Sequence, residues 1–244
     1  MSELFSIQLQ NRQQQGRDGV WLDLPTTTEQ VQAALQQIGI SSDNPQGLFI
    51  SGYFAEEEKR FATPYNMVLA SNVDELNFLA SRLETLSTGE RAELNAALQA
   101  PQSELFSIGR ITDFPENVDY YVHLPDVHGP AQLGDYYLNR SGMVDMPEEW
   151  KGGIDTAQFG RYVAQQEQGV FTEYGYLVKS GDAWQKVHEG QPVPEEYRVL
   201  SFPAPEVLRD AANIPPPVRP ETEPQKVIPI ILNGKDRKST RLNS

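Results

Sequence analysis

The chain has no cysteine among its 244 residues. Without thiols it cannot form disulfides, use a thiolate nucleophile or bind zinc through cysteine. It also lacks any apolar run near the roughly 18 to 20 residues that a membrane span needs, and its N-terminus lacks the basic and apolar regions of a signal peptide. We therefore predict a cytoplasmic protein without a membrane partner.

Positive charge is scarce as well. The sequence has 20 Lys and Arg against 34 Asp and Glu, a formal net charge of −14. The imbalance is concentrated in residues 1–150, which hold 22 acidic and 8 basic residues. A field of this sign repels polyanions, so it disfavours nucleic acid as a partner and favours basic proteins.

Sequence motifs for nucleotide binding, metalloprotease and serine hydrolase chemistry are missing, since there is no GxxxxGK[ST], HExxH or GxSxG. A metal site would have to use His123, Asp126 and His128, a spacing that matches no established ligand pattern. Pro125 and Gly129 indicate a solvated turn there. We predict no enzyme activity, no catalytic residue, no metal and no cofactor, and a metal-dependent enzyme built on this turn stays as an alternative.

Three short strands and one helix are predicted in the first 65 residues. The segments FSIQLQN, GVWLDLP and GLFISGYF are rich in β-branched and aromatic residues. Between the second and third, Thr26 and Glu29 predict a capping box and Gly39 a helix end. The apolar residues of this helix recur at i, i+3, i+4 and i+7: Val31, Ala34, Leu35 and Ile38.

The middle block predicts a hairpin of two helices. Asn72 with Glu75 and Ser87 with Glu90 are capping-box pairs. Each pair precedes an apolar stripe, and the outward positions are mainly acidic. The stripes consist of Leu76, Leu79, Ala80 and Leu83 in the first helix and Leu94, Ala97 and Leu98 in the second.

The third block is the most acidic, with nine acidic and two basic residues between 101 and 150. Pro130 predicts the start of a helix with Leu133, Tyr136 and Tyr137 on one face. Asp155 or Thr156 predicts the cap of a second helix. Its inward residues are expected to be Phe159, Tyr162 and Val163, and GVFTEYGYLVK is expected to form a strand.

These patterns predict an α+β fold of three consecutive blocks of α+β, helical and α+β type, followed by a Pro-rich disordered tail. The last nine residues resemble the translation of a sequencing-library adapter and are expected to be foreign to the fold. The predicted divisions are 1–65, 66–102, 103–200, a Pro-rich linker with the start of a truncated further domain at 201–235, and the adapter-like 236–244.

The acidity itself allows two interpretations. It could serve solubility alone, as in many acidic proteins. Alternatively, the carboxylates could stand in for the phosphates of duplex DNA, which carry about one charge per 1.7 Å of helix axis. A protein of that kind would compete for the basic groove of a DNA-binding enzyme and would need no chemistry of its own.

The order of several segments resembles the ArdA-type antirestriction family. Besides GVWLDLP these are DELNFLASRLETL, NVDYYVHLPDVHGPAQLGDYYL and IDTAQFGRYVAQQEQGVFTEYGYL, which together cover approximately residues 5–180. The resemblance implies three small domains in an elongated, curved homodimer. It further implies imitation of B-form DNA, occupation of the DNA-binding site of type I restriction-modification enzymes, no cofactor, and a gene on a mobile element.

We expect the DNA-mimic surface to be spread over many carboxylates and not concentrated at one site. The candidates are Glu56, Glu57 and Glu58 in the first block, Asp74, Glu75, Glu84, Glu90 and Glu93 in the second, and Asp113, Glu116, Asp119, Asp126, Asp135, Asp145, Glu148 and Glu149 in the third. The alternative function is an acidic adaptor that binds another basic protein through the hairpin SRLETLSTGERAEL.

Overall fold

The structure is a computed structural model whose described residues are 4–14, 18–41, 45–55, 65–101 and 103–200. Glu56, Glu57 and Glu58 lie outside the described residues, as do the Pro-rich segment and the adapter-like end. The described chain combines helices with small antiparallel sheets, which confirms the α+β class. The elongated shape and the three-domain division stay predictions.

The strands of the described chain are β1 (Phe5–Asn11), β2 (Val20–Leu24), β3 (Leu48–Phe54), β4 (Tyr121–Leu124), β5 (Val170–Thr172) and β6 (Gly175–Lys179). Its α-helices are α1 (Thr28–Gln37), α2 (Tyr65–Leu69), α3 (Val73–Glu84), α4 (Thr88–Gln99), α5 (Ile108–Thr112), α6 (Pro130–Asp135), α7 (Glu148–Lys151) and α8 (Thr156–Glu167). A π-helical turn, Tyr136–Arg140, continues α6.

The first three strands, each predicted from the sequence, form an antiparallel sheet in the order β2–β1–β3. Burial alternates along β1, with Ile7 and Leu9 fully buried and the residues between them on the outer face. Gln8 pairs with Trp21 on β2 and with Gly52 on β3. One face of this sheet therefore packs on the core, and the other faces outward.

The capping box of helix α1 lies one residue later than predicted, with Thr27 and not Thr26 as the N-cap. The hydroxyl of Thr27 accepts the backbone N–H of Gln30, and the Gln30 side chain accepts the N–H of Thr27. The box predicted at Thr26 is wrong, because Thr26 is buried and its N–H donates to Asn77 at 2.7 Å. Gly39, with φ of +68°, follows the helix end. The predicted inner face is confirmed, since its four members are buried: Val31, Ala34, Leu35 and Ile38.

Helices α3 and α4 begin at the two predicted capping boxes. The side chain of Asn72 accepts the N–H of Glu75 at 2.9 Å, and that of Ser87 accepts the N–H of Glu90 at 3.3 Å. The apolar stripe of α3 is buried throughout, and that of α4 is buried except for the half-buried Leu98. Helix α3 packs on α5, whereas α4 packs on β6.

The larger hydrophobic core contains residues of all three predicted blocks, among them Leu9, Leu79 and Val199. Asn77 is a polar residue inside this core, and both ends of its amide are satisfied. The side-chain carbonyl accepts from Thr26, and the NH₂ group donates to the carbonyl of Tyr197 at 3.0 Å. Asn77 thus ties α3 to the first block and to the end of the described chain.

Helices α6 and α8 cross at two glycines. A Cβ atom on Gly160 would overlap the carbonyl oxygen of Pro130, and one on Gly134 would overlap that of Thr156. Two backbones this close leave no room for side chains at the crossing. Tyr162, predicted to face inward, is 60% exposed, because the crossing glycines and not the large apolar residues select the inner side of α8.

The segment GVFTEYGYLVK forms a hairpin, so the prediction of a single strand is wrong. Strands β5 and β6 pair with each other, and β4 pairs with β6, which gives the order β4–β6–β5. Gly175 begins β6 with φ of +119°, close to the backbone of Leu124 and Pro125. A side chain at that position would be strained and would collide with β4.

Residues 180–200, named here the C-terminal strap, are held by side chains of the preceding body. Asn117 exchanges two hydrogen bonds with the backbone of Gln185, at 2.7 and 3.0 Å. The ring of Phe78 contacts the rings of His188 and Tyr197, with centroid distances of 5.0 and 4.7 Å. Polar and aromatic contacts therefore fix a segment that has little regular secondary structure.

Candidate functional site

Exposed carboxylates are the main charged groups that the described chain presents to a partner. The described ranges contain 24 Asp and Glu against 10 Lys and Arg. Six of these ten basic residues form ion pairs with carboxylates of the described chain. Much of the positive charge is therefore neutralised internally, and the charge that remains for a partner is predominantly negative.

Several predicted carboxylates are on the surface. The exposed members are Asp119, Asp126, Asp145, Glu148 and Glu149. Glu148 forms an ion pair with Lys151 at 2.6 Å. Two further members form ion pairs with arginine: Glu116 with Arg82, and Asp135 with Arg140.

The structure adds exposed carboxylates that the predicted set lacks. These are Asp18, Asp23, Glu29, Asp155, Glu173, Asp182, Glu195 and Glu196. Most of them adjoin a glycine, a proline or a helix start, where polar side chains usually face water. That signal was present in the sequence, but the predicted set did not use it.

Two predicted acids of the middle helices also cap helix N-termini. The side chain of Glu90 accepts the N–H of Ser87 at 2.7 Å, and that of Glu75 accepts the N–H of Asn72 at 3.3 Å. Hydrogen bonds from the side chain and backbone of Ser87 lower the pKa of Glu90, whereas burial raises the pKa of Glu75. Glu84 is half-buried on α3. These three half-buried side chains are less open to a partner than the exposed members of the third block.

Asp113 is fully buried, so its assignment to an exposed surface is wrong. Its carboxylate accepts three consecutive backbone N–H groups of the strap, from Val187, His188 and Glu189, at 3.2, 2.6 and 3.2 Å. These donors lie more than 70 residues along the chain, beyond the reach of any local sequence pattern. Asp113 is an anchor of the strap.

Asp74 has a similar role at the other end of the strap. The half-buried carboxylate accepts the N–H groups of Val199 and Leu200 at 2.7 and 2.8 Å. Burial raises its pKa, and these two hydrogen bonds oppose the rise. Its contribution to an exposed array is reduced, since one of its oxygens already accepts two backbone donors.

Glu93 is the acid whose ionisation the fold opposes most clearly. Burial, together with the nearby charges of Glu90 and Asp119, raises its pKa to about 8. Its Oε1 atom is buried and has no hydrogen-bond partner among the described residues. At pH 7 Glu93 is therefore mostly protonated, and it adds little negative charge to the surface.

The histidine-containing turn does not gather a set of metal ligands in the described chain. The Nε2 atom of His123 is 2.7 Å from the carbonyl oxygen of Tyr174, within the contact between β4 and the β5–β6 hairpin. Asp126 and His128 are exposed on the following turn. Across the described ranges, no three side chains of metal-ligating type are grouped closely enough to hold an ion. The metal-enzyme alternative has no support in this arrangement.

Comparison with known proteins identifies the family. The model of the family described as antirestriction protein (ArdA) matches residues 15–178, more than half of the chain. The chain belongs to the ArdA family. No curated protein matches it.

Membership in the ArdA family makes this an antirestriction protein, an inhibitor of restriction. The match begins after β1, covers β2, β3 and the second sheet as far as Val178, and ends before the strap. In the described ranges, no helix is long and apolar enough to cross a membrane. The ArdA resemblance inferred from the sequence is thus confirmed.

Proposed function

We propose that this ArdA-family protein imitates B-form DNA through its surface carboxylates and competitively occupies the DNA-binding site of type I restriction-modification enzymes. The observation that carries the proposal is the excess of 24 acidic over 10 basic residues in the described ranges, with six of the bases in internal ion pairs. The proposed active form is a homodimer, and no nucleic acid takes part in the complex.

The physical basis is the field of a DNA-binding groove. Such a groove presents Lys and Arg side chains that neutralise phosphates, and its affinity depends on the release of counterions. Carboxylates held on a folded body offer charges of the same sign without bases or a sugar backbone. Because phosphate contacts carry no sequence information, the mimic competes for positioning contacts and needs no sequence-specific readout.

The test is a cleavage assay with the full chain, a purified type I restriction enzyme and its unmodified target DNA. Cleavage is followed over a series of salt concentrations, with and without added non-specific duplex. We expect inhibition that weakens as salt rises and is relieved by the duplex. Cleavage that continues at a large molar excess of the folded chain would overturn the proposal.

The acidic adaptor makes the opposite prediction in the same assay. A partner bound outside the DNA channel would keep its affinity for this protein when duplex is added. The hairpin expected to carry an adaptor function is largely structural, since Leu83, Leu86 and Leu94 are buried in the core. Its exposed residues are Thr85 and the start of α4, namely the cap Ser87 with Thr88 and Gly89. Competition with duplex therefore separates the two functions.

A further inference from the structure

The outer face of the first sheet carries large aromatic side chains that are open to solvent. Trp21 on β2 is 50% exposed, and Phe54 on β3 is 59% exposed. Tyr65, at the start of α2, is 48% exposed, and its hydroxyl donates to the carbonyl of Ser51 at 3.1 Å. Aromatic side chains grouped on one exposed face are typical of protein interfaces.

The indole of Trp21 lies across this face. Gln8 pairs with Trp21 on one side and with Gly52 on the other, so β1 lies between the two. A Cβ atom placed on Gly52 would be only 3.1 Å from Cη2 of Trp21. The ring therefore spans β1 and reaches the backbone of β3, where glycine leaves space for it. One side of the indole rests on the sheet, and the other is available to a partner.

The surroundings of this ring favour a cation. Asp23 is exposed, lies two residues from Trp21 on the same face of β2, and accepts the hydroxyl of Ser6 at 2.6 Å. At the end of β1, the guanidinium of Arg12 already lies over the ring of Phe49, 5.3 Å from its centroid. The sheet thus contains one arginine–aromatic pair, while the indole beside Asp23 has no cation over it among the described residues.

We propose that Trp21 and Asp23 form an arginine-binding platform, on which a guanidinium of the protein partner stacks on the indole and pairs with the carboxylate. Arginine suits such a site because its planar guanidinium is weakly hydrated, stacks on aromatic rings and donates to carboxylates in a fork. Lysine offers a point charge that cannot do both equally well. The identity of the partner as a restriction enzyme rests on the proposed function, but the preference for arginine is a property of this chain.

The experiment measures that preference without any restriction enzyme. Hexa-arginine and hexa-lysine peptides are titrated into the ¹⁵N-labelled full chain at fixed ionic strength. The three tryptophans give three indole N–H signals, and the Trp21→Leu variant assigns one of them. We expect the Trp21 signal to shift with hexa-arginine and much less with hexa-lysine. The arginine preference in affinity should fall roughly 2- to 5-fold in Trp21→Leu.

Trp150→Leu is the matched control, because Trp150 is 66% exposed on a different element, α7. The control is expected to keep the full arginine preference. The proposal is overturned if Trp21→Leu retains that preference, or if both variants lose it equally. It is also overturned if sedimentation shows that Trp21→Leu dissociates an oligomer, since a second copy would then cover the face. Failure of the cleavage assay with the arginine preference intact would reject the restriction enzyme alone.

Discussion

At the scale of single residues, an acidic side chain in this protein can serve the surface or the interior. Asp113 and Asp119 are both aspartates of the same acidic segment, six residues apart. Asp113 is fully buried beneath three N–H groups of the strap, whereas Asp119 is exposed. Their substitution should therefore have different consequences, although composition treats them alike.

Asp113→Asn is expected to destabilise the fold by about 1.5–3 kcal/mol, because a neutral amide replaces the charged acceptor and directs an NH₂ group at backbone donors. Urea denaturation gives the change in the free energy of unfolding. Hydrogen exchange should show faster exchange at Val187, His188 and Glu189. Asp119→Asn is the control and should remain within about 0.5 kcal/mol of the parent. Equal stability of the two variants would contradict the anchoring role.

Glu93 gives a prediction about pH. Its pKa is raised to about 8 in the folded chain from an ordinary value of 4.5. The stability contributed by its protonated form is fully present below pH 4.5 and is lost as pH rises through 8, because the unfolded chain releases this proton first. Glu93→Gln cannot ionise, so its stability advantage over the parent should grow between pH 4.5 and 8 and then level off.

Thermal unfolding of parent and Glu93→Gln across this pH range checks that prediction. The exposed Glu149 provides the control, since Glu149→Gln should change the melting temperature by a similar small amount at every pH. If the difference between Glu93→Gln and the parent did not vary with pH, the burial of Glu93 would have no effect on its ionisation.

At the scale of secondary-structure elements, backbone proximity decides how the last helices meet. The crossing of α6 and α8 depends on Gly134 and Gly160, where a Cβ atom would overlap a carbonyl oxygen of the other helix. A methyl group is small, but the atom it meets belongs to the backbone and cannot rotate away. The helices would have to separate along their whole contact.

Gly160→Ala is therefore expected to destabilise the protein by about 1–3 kcal/mol through overpacking. Gly89→Ala is the matched control in α4, where a Cβ atom meets nothing within 4 Å. Its expected effect has the opposite sign, a gain of roughly 0.5 kcal/mol, because alanine favours helix more than glycine. Chemical denaturation of both variants checks the pair. A gain in stability for Gly160→Ala would show that the helices can move apart without loss.

At the scale of the whole molecule, function should depend on the number and placement of charges more than on any one of them. An exposed carboxylate contributes about 1 kcal/mol or less to a contact in water, and salt screens it. A surface that imitates phosphates should therefore tolerate single neutralisations. It should lose affinity in steps as neutral residues accumulate on the face that the partner binds.

Single and combined substitutions to Asn or Gln test this at five exposed positions: Asp119, Asp126, Asp145, Glu148 and Glu149. Each single variant should lose no more than about 5-fold in restriction inhibition, and the combined variant much more, with a shallower salt dependence. Inhibition assays over a salt series provide the measurement. A matched triple variant at Asp18, Asp23 and Glu29 shows whether the first block takes part. If one single substitution abolished inhibition, distributed mimicry would be wrong.

Local structure was largely predictable because its causes are local. The capping boxes at Asn72 and Ser87, the helix start at Pro130 and strand β1 each depend on residues within a few positions of one another. Predictions failed where the deciding contact came from a distant segment. Tyr162 is exposed because two backbones meet at glycines, and Thr26 is buried because Asn77 accepts its N–H.

By itself the sequence determined the charge of this protein, the absence of thiol chemistry, the α+β class and the ArdA resemblance, since composition, periodicity and motif order are properties of the chain alone. Only the tertiary structure decided which acids are available to a partner. Burial and hydrogen bonding depend on segments that folding brings together, so Asp113 became an anchor, Glu93 a mostly neutral acid, and Trp21 an exposed ring beside Asp23.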